Sequence, residues 1–388
     1  MGPTGLTQDP PPLTKGGNLP FRRLCSDFGA EVTMSEMAFT KQLLKGDRVE
    51  KARMVKASNE VCFGFQVATK TITDGVAVSK LAAEAGASWL DINCGCPIYE
   101  ATRRGLGAAL LRKPKALAKM VAGIVLESAL PVTVKIRTGE SEKKINAPLV
   151  AELLHRAGAA AVTIHGRTME QRYKRPADWS LISSVTAGIP DLRIIGNGDV
   201  LTHYEADIRM KEHGCHAVMV GRGALIKPWL FQEYKEKREL MLSASDRVGI
   251  YRKLASYMRE HFGDDAWGKT KAFYFLPSHF AFFYRYRHMP AEVYGAASRA
   301  YPLLNTRLDL AEAALGEELD SLPLIERLLR CESDAAHLAL ANIVYDSTSD
   351  ADAMAMLEKV ASEQLSGWEA EVKAGSGGRG GEERESEG

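Results

Sequence analysis

The sequence lacks what would place a chain in a membrane. No stretch reaches the roughly 18 consecutive apolar residues that a spanning helix needs. The first residues have neither the basic nor the apolar region of a secretory signal. Met1-Gly2 could open an acylation site, but Pro3 and Leu6 spoil it, since position 6 would have to be serine or threonine. A chain that stays in solution, off the membrane, is expected. Cysteine is also scarce, with six residues scattered at 25, 62, 94, 96, 215 and 331. That scatter suits reduced thiols rather than a disulfide framework and predicts a cytosolic or nuclear address. Cys94 and Cys96 form a CxC pair with no second Cys/His pair at finger spacing, so no metal is expected. There is no internal repeat.

Net charge is low as well, at +1, yet it is unevenly spread. Up to residue 300 there are 43 Lys and Arg against 30 Asp and Glu; beyond it there are 7 against 19. A basic body suits a polyanion such as RNA, or is simply a solvated surface rich in lysine. The 388 residues, 45% of them hydrophobic, suffice for one large barrel of about 250 residues and a smaller appended domain.

Short apolar, β-branched runs alternate with longer helical stretches, the rhythm of parallel βα units. Strands are predicted near 12–14, 31–34, 61–67, 88–93, 131–136, 160–165, 192–195 and 216–220. Helices are predicted at 74–85, 114–128, 147–157, 202–212 and 224–235, with Gly86, Gly158 and Gly214 as stops. Eight such units imply an α/β fold, a TIM (β/α)8 barrel; a doubly wound sheet is the other arrangement to weigh. Past about Ser243 only helical spacing remains, in 251–261, 273–286 and 308–329. The expected organisation is a disordered stretch at 1–9, the barrel at 10–242, a helical domain at 243–372, and a disordered acidic tail rich in Gly and Glu at 373–388.

The suggestive polar residues all fall at carboxyl ends of predicted strands, the face on which TIM barrels assemble active sites. Gln66 ends the third strand, and Asn93 and Cys96 follow the fourth. Lys135 and Arg137 end the fifth, His165 closes the sixth, Asn197-Gly198-Asp199 follows the seventh, and Gly221-Arg222 follows the eighth. Lys135 is either an ordinary charge at a strand exit or a cation beside the N1–C2=O edge of a flavin. Beside Gly166, His165 reads as a ligand contact. The Gln66 amide either satisfies the core or matches a flavin's alternating donors and acceptors. GNGD and GRGA stand where TIM barrels bind phosphate, which favours FMN. Cys96, between Gly95 and Pro97, is placed to meet a ligand, whereas Cys94 reads as packing. Flavin with a thiol suggests hydride delivery paired with protonation of a C=C bond.

These residues carry a resemblance. GNLPFRR, DINCGCP, RRGLGAALL, VKIRTG, HGRT, NGD and GR, in order between about Pro12 and Phe231, resemble the tRNA-dihydrouridine synthases, most of all the eukaryotic tRNA-dihydrouridine synthase 3 subfamily. The resemblance implies an FMN-bearing TIM barrel with a helical domain that helps hold tRNA. It implies Cys96 as the general acid and a flavin site on Pro12, Leu13, Thr14, Gln66, Lys135, His165, Asn197, Gly198, Asp199, Gly221 and Arg222, with Asn93 and Arg137 facing the uracil. The implied cycle takes electrons from NADPH or NADH, passes hydride to C6 of a uridine taken out of its stack, and protonates C5 from Cys96. Position 47 in the variable loop is the implied target, and no stable protein partner is indicated. The chain departs from the pattern in three places: TQDPP precedes Pro12, no CCCH zinc fingers are present, and the region past Ser243 drifts. Two other readings remain: a small-molecule flavoenzyme resembling dihydroorotate dehydrogenase or old yellow enzyme, and an RNA-binding protein without chemistry.

Overall fold

The computed structural model of the chain describes residues 16–376. Eight parallel strands form one curled sheet, the wall of a TIM (β/α)8 barrel, and helices surround it. The strands are β1 (Val32–Met34), β2 (Ala38–Phe39), β3 (Cys62–Ala68), β4 (Trp89–Cys94), β5 (Val132–Arg137), β6 (Ala161–His165), β7 (Ile194–Asn197) and β8 (Ala217–Met219). Pairing runs β1-β3-β4-β5-β6-β7-β8, with β2 also on β3. Strand order follows the chain without reversal, which rules out the doubly wound alternative.

The strand predicted at 12–14, with Pro12, Leu13 and Thr14, lies outside the described residues. The eighth strand among them is instead β2, two residues long and outside every predicted strand. β1 pairs with the first half of β3 and β2 with the second. In the gap between them, the Ser35 hydroxyl accepts from the Gln66 backbone N–H at 3.0 Å, where a ladder carbonyl would otherwise stand.

Strand register sorts the side chains. Gln66, Asp91 and Thr133 stand side by side; Asn93, Lys135 and Thr163 form the next row; Arg137, His165 and Asn197 form the row above. The alternate positions, among them Ile92, Val134, Val162 and Ile194, are apolar and fully buried. Because side chains alternate between faces, one face of the sheet is hydrocarbon under the helices and the other lines the barrel with polar groups. The Trp179 ring lies against the outer face at Gly196, where a Cβ would come within 2.4 Å of it.

Gly86, Gly158 and Gly214 end their helices in the left-handed region, at φ 83°, 84° and 72°. The helix predicted over 224–235 is two, Arg222–Ile226 and Leu230–Glu236. Pro228 forces the break: it cannot donate, and it drives Lys227 to an extended φ of −142°. Helices at Leu19–Asp27 and Trp179–Gly188 had not been predicted.

The helical region opens at Ala244–Phe262, where Ser243 and Asp246 form a capping box. It closes with Asp350–Ser376, so residues 373–376 of the predicted disordered tail are helical. One contiguous apolar core joins the helices to the barrel. At the junction His279, on the helix Ala266–Phe283, stacks on Phe21 at a centroid distance of 5.0 Å. Neither ring nitrogen meets a hydrogen-bond partner among the described residues, and burial pushes its pKa down to about 3. The unfolded chain takes up this proton near pH 6.5, whereas the folded chain does not. The contribution of the neutral ring is therefore complete above about pH 6.5 and falls by up to about 1.4 kcal/mol per pH unit below it. His279→Phe should lessen the drop in melting temperature between pH 7 and pH 5. An undiminished drop would assign the acid lability to other groups.

No helix among the described residues is long and apolar enough to cross a membrane. No cluster of His, Cys, Asp and Glu among them could hold a metal ion.

Candidate active site

Four hydrogen bonds from three residues clamp the thiol loop after β4. Asn93 Oδ1 accepts the backbone N–H groups of Gly95 at 3.1 Å and Cys96 at 2.8 Å. Arg137 Nε donates to Gly95 O at 2.9 Å. Ala108 N donates to Cys96 O at 2.9 Å, and beside it Gly107 sits at φ 58°, where a Cβ would lie 2.5 Å from that same oxygen. The RRGLGAALL run is thus shaped to close over the cysteine. The Cys96 side chain is half-buried in a small apolar cluster with Met37, Phe39 and Ile98. Burial raises its pKa; a backbone hydrogen bond at Ile98 and the charges of Arg137 and Lys135 offset only part of the rise. The thiol therefore holds its proton at neutral pH. Cys94, fully buried on the apolar face, is packing.

Below the thiol, Gln66 and Lys135 stand two residues short of their strand ends, deeper than the sequence suggested. Gln66 is fully buried, accepting from Asn93 Nδ2 at 2.7 Å and donating to Asp91 Oδ2 at 2.7 Å. Lys135 is buried between Asn93 and Thr163 in the register. Arg137 donates through Nη1 to Thr168 O and Arg172 O as well as through Nε to Gly95, so its guanidinium ties the loop after β6 to the thiol loop. Burial lowers its pKa to about 10, which leaves it charged at neutral pH.

On the other side of the mouth, Asp199 organises the loops after β6, β7 and β8. Its Oδ2 accepts from Arg167 Nη2 (2.8 Å), Ala177 N (2.7 Å) and Asn305 Nδ2 (3.1 Å), and its Oδ1 from Arg222 Nη2 (2.7 Å). Gly198, at φ 130°, leaves no room for a Cβ beside Ala177. Gly223 brings the short helix of GRGA onto Val200, where a Cβ would sit 2.1 Å from the carbonyl oxygen. Tyr173 lies under Arg222, whose guanidinium is 4.3 Å from the ring centroid, with His165 at 6.1 Å. His165 is buried, and burial together with Arg137, Lys135, Arg167 and Arg222 pushes its pKa well below the usual value. It is a neutral ring, in contact with Arg167 Nη1 at 3.3 Å.

Every site residue predicted from β3 to β8 thus lies at this mouth or just beneath it. Arg167, Tyr173, Asp91, Thr133 and Asn305 had not been singled out. Arg167 stands inside HGRT and Asp91 opens DINCGCP; Asn305 carries no local signal. The side chains of Asn93 and Asp199 are engaged within the protein, the first with the thiol loop and the second with two arginines.

The family model of dihydrouridine synthases matches residues 11–277. The chain belongs to the dihydrouridine synthase family. It is 40% identical over 291 residues to the tRNA-dihydrouridine(47) synthase [NAD(P)(+)] of Cryptococcus neoformans var. neoformans serotype D, covering 71% of this chain and 40% of that protein. The human tRNA-dihydrouridine(47) synthase [NAD(P)(+)]-like protein is 39% identical over 278 residues, covering 71% of this chain and 42% of its own length. The Candida albicans tRNA-dihydrouridine(47) synthase [NAD(P)(+)] is 39% identical over 322 residues, covering 76% and 51%. The chain therefore spans about half or less of the length of these relatives. Among solved structures it is similar to histamine dehydrogenase from Rhizobium sp. 4-9, with a TM-score of 0.48, 13% identity, and coverage of 65% of this chain and 49% of that one.

Proposed function

We propose that this chain is an FMN- and NAD(P)H-dependent tRNA-dihydrouridine synthase that reduces the C5=C6 bond of uridine 47. The observation that carries this reading is a thiol loop, held by Asn93, Arg137 and Ala108, at the mouth of a barrel lined with four cationic side chains. Lys135, Arg137, Arg167 and Arg222 face two carboxylates, Asp91 and Asp199. Buried positive charge needs an anion, and a phosphate-bearing, electron-accepting cofactor supplies one. The residues fit FMN: Gly198, Gly221 and Arg222 for the phosphate, and Lys135 and neutral His165 for the ring, whereas both ends of the Gln66 amide are engaged with Asn93 and Asp91. FMN, when bound, supplies hydride derived from NAD(P)H.

The chain's own residues do the rest. Arg137 and Asn93 hold the thiol loop, and Cys96 gives its proton to C5 as C6 receives the hydride; water restores the thiol. The loops at the mouth carry exposed Lys70, Arg103, Lys143, Arg172, Lys174 and Arg175. Such a rim suits the phosphates that flank a nucleotide drawn out of folded RNA.

The test is the dihydrouridine content of tRNA from cells with and without the protein. Loss at position 47 alone is expected, together with a purified protein that is yellow. Unchanged content at position 47 would overturn the proposal, and a yellow protein with no effect on tRNA would point to a small-molecule flavoenzyme.

A further inference from the structure

The buried carboxylate of Asp91 has no part in the proton and hydride transfers, yet it ends a chain of side-chain bonds that starts at the backbone of Cys96. The first member fixes the direction of every bond. Backbone N–H groups only donate, so the Asn93 atom facing those of Gly95 and Cys96 must be Oδ1. Asn93 Nδ2 then points at Gln66, which must offer its oxygen, at 2.7 Å. Gln66 Nε2 is left to donate, and Asp91 Oδ2 receives it at 2.7 Å. The other Asp91 oxygen accepts Thr133 Oγ1 at 2.6 Å. Any reversed amide would set two donors or two acceptors face to face in a water-poor interior, and a single buried unsatisfied group is costly. Asp91, whose two oxygens accept from Gln66 and Thr133, is the terminal acceptor that this polarity requires.

We propose that Asp91 is a positioning residue for Cys96, acting through Gln66 and Asn93 to hold the thiol loop in line with the carbon it protonates. This rests on the functional reading above. The competing role for Asp91 is charge balance for Lys135, and the two halves of the catalytic cycle separate these roles. Flavin reduction by NADPH does not use Cys96; reoxidation of the reduced flavin by tRNA does.

The experiment is anaerobic stopped-flow on the flavin-loaded protein, with tRNA lacking dihydrouridine. Asp91→Ala should slow reoxidation by tRNA about 10- to 100-fold, the scale of a small misplacement of a reacting group, while reduction by NADPH is unaffected. Asp91→Asn should recover most of the lost rate, because an amide oxygen still accepts from Gln66. If Asp91→Asn is as slow as Asp91→Ala and flavin reduction slows too, Asp91 acts through its charge and the proposal is overturned. An unimpaired Asp91→Ala also overturns it. Asp91→Leu, an apolar variant of similar size, guards against a folding failure. If neither the Ala nor the Leu variant retains flavin while Asp91→Asn does, Asp91 is structural and the proposal fails. Failure of the functional reading itself would appear in the wild type, whose reduced flavin tRNA would not reoxidise.

Discussion

Cys96→Ala is expected to bind flavin, accept electrons from NADPH and make no detectable dihydrouridine, with turnover down about 10²- to 10⁴-fold, the range of a positioned general acid. The thiol is the one group on the loop that can donate a proton here, and its surroundings suit that task. Burial raises its pKa, so the proton is in place at neutral pH. Lys135 and Arg137 counter the rise, so the thiolate left after transfer has positive charge nearby. The loop itself does not depend on the sulfur, because Asn93, Arg137 and Ala108 hold its backbone. Alanine should therefore leave the flavin spectrum and melting temperature close to wild type. Wild-type dihydrouridine formation by the variant would remove Cys96 from the mechanism.

Much of this centre was legible because its residues announce themselves locally. A β-strand exposes alternate residues to one face, so Asn93, Lys135, His165 and Asn197, each near the end of an apolar run, could be assigned to one mouth without coordinates. Gly86, Gly158 and Gly214, themselves at positive φ, marked the helix ends in the same local way. What the sequence hid depends on distance along the chain. Asp91 meets Gln66 and Thr133, 25 and 42 residues away, and nothing within its own strand tells a buried carboxylate from an exposed one. Asn305 reaches Asp199 across 106 residues. β2 is two residues long, too short for any periodicity to show. The split at Lys227-Pro228 was readable in principle, since the residue before proline is driven out of the helical region; the run of apolar residues on either side masked it.

Asp199→Ala is expected to be the most destabilising change at the site, costing about 3–5 kcal/mol, the usual effect of removing one partner from a buried ion pair. The Asp199 side chain is fully buried, and so is that of Arg167, which it anchors. Alanine would leave Arg167 Nη2 and the Ala177 N–H as buried donors without this acceptor, and would take the same acceptor from the half-buried Asn305 amide. It would also free Arg222 from its position over Tyr173. The backbone adds to the cost, because Asp199 sits at φ 51°, a region that Asp and Asn tolerate better than Ala. The same geometry argues that the Asp199 carboxylate is no ligand for a phosphate. Two anions would repel, and this one already holds the two arginines that attract such a group, so flavin affinity should fall along with stability. Asp199→Asn keeps the shape and tolerates the φ angle but removes the charge. It should fall between wild type and Asp199→Ala in denaturant midpoint and in flavin retained through gel filtration. An Asp199→Ala protein within about 1 kcal/mol of wild type, less than the cost of a single unsatisfied buried group, would show that this carboxylate does not hold the three loops together.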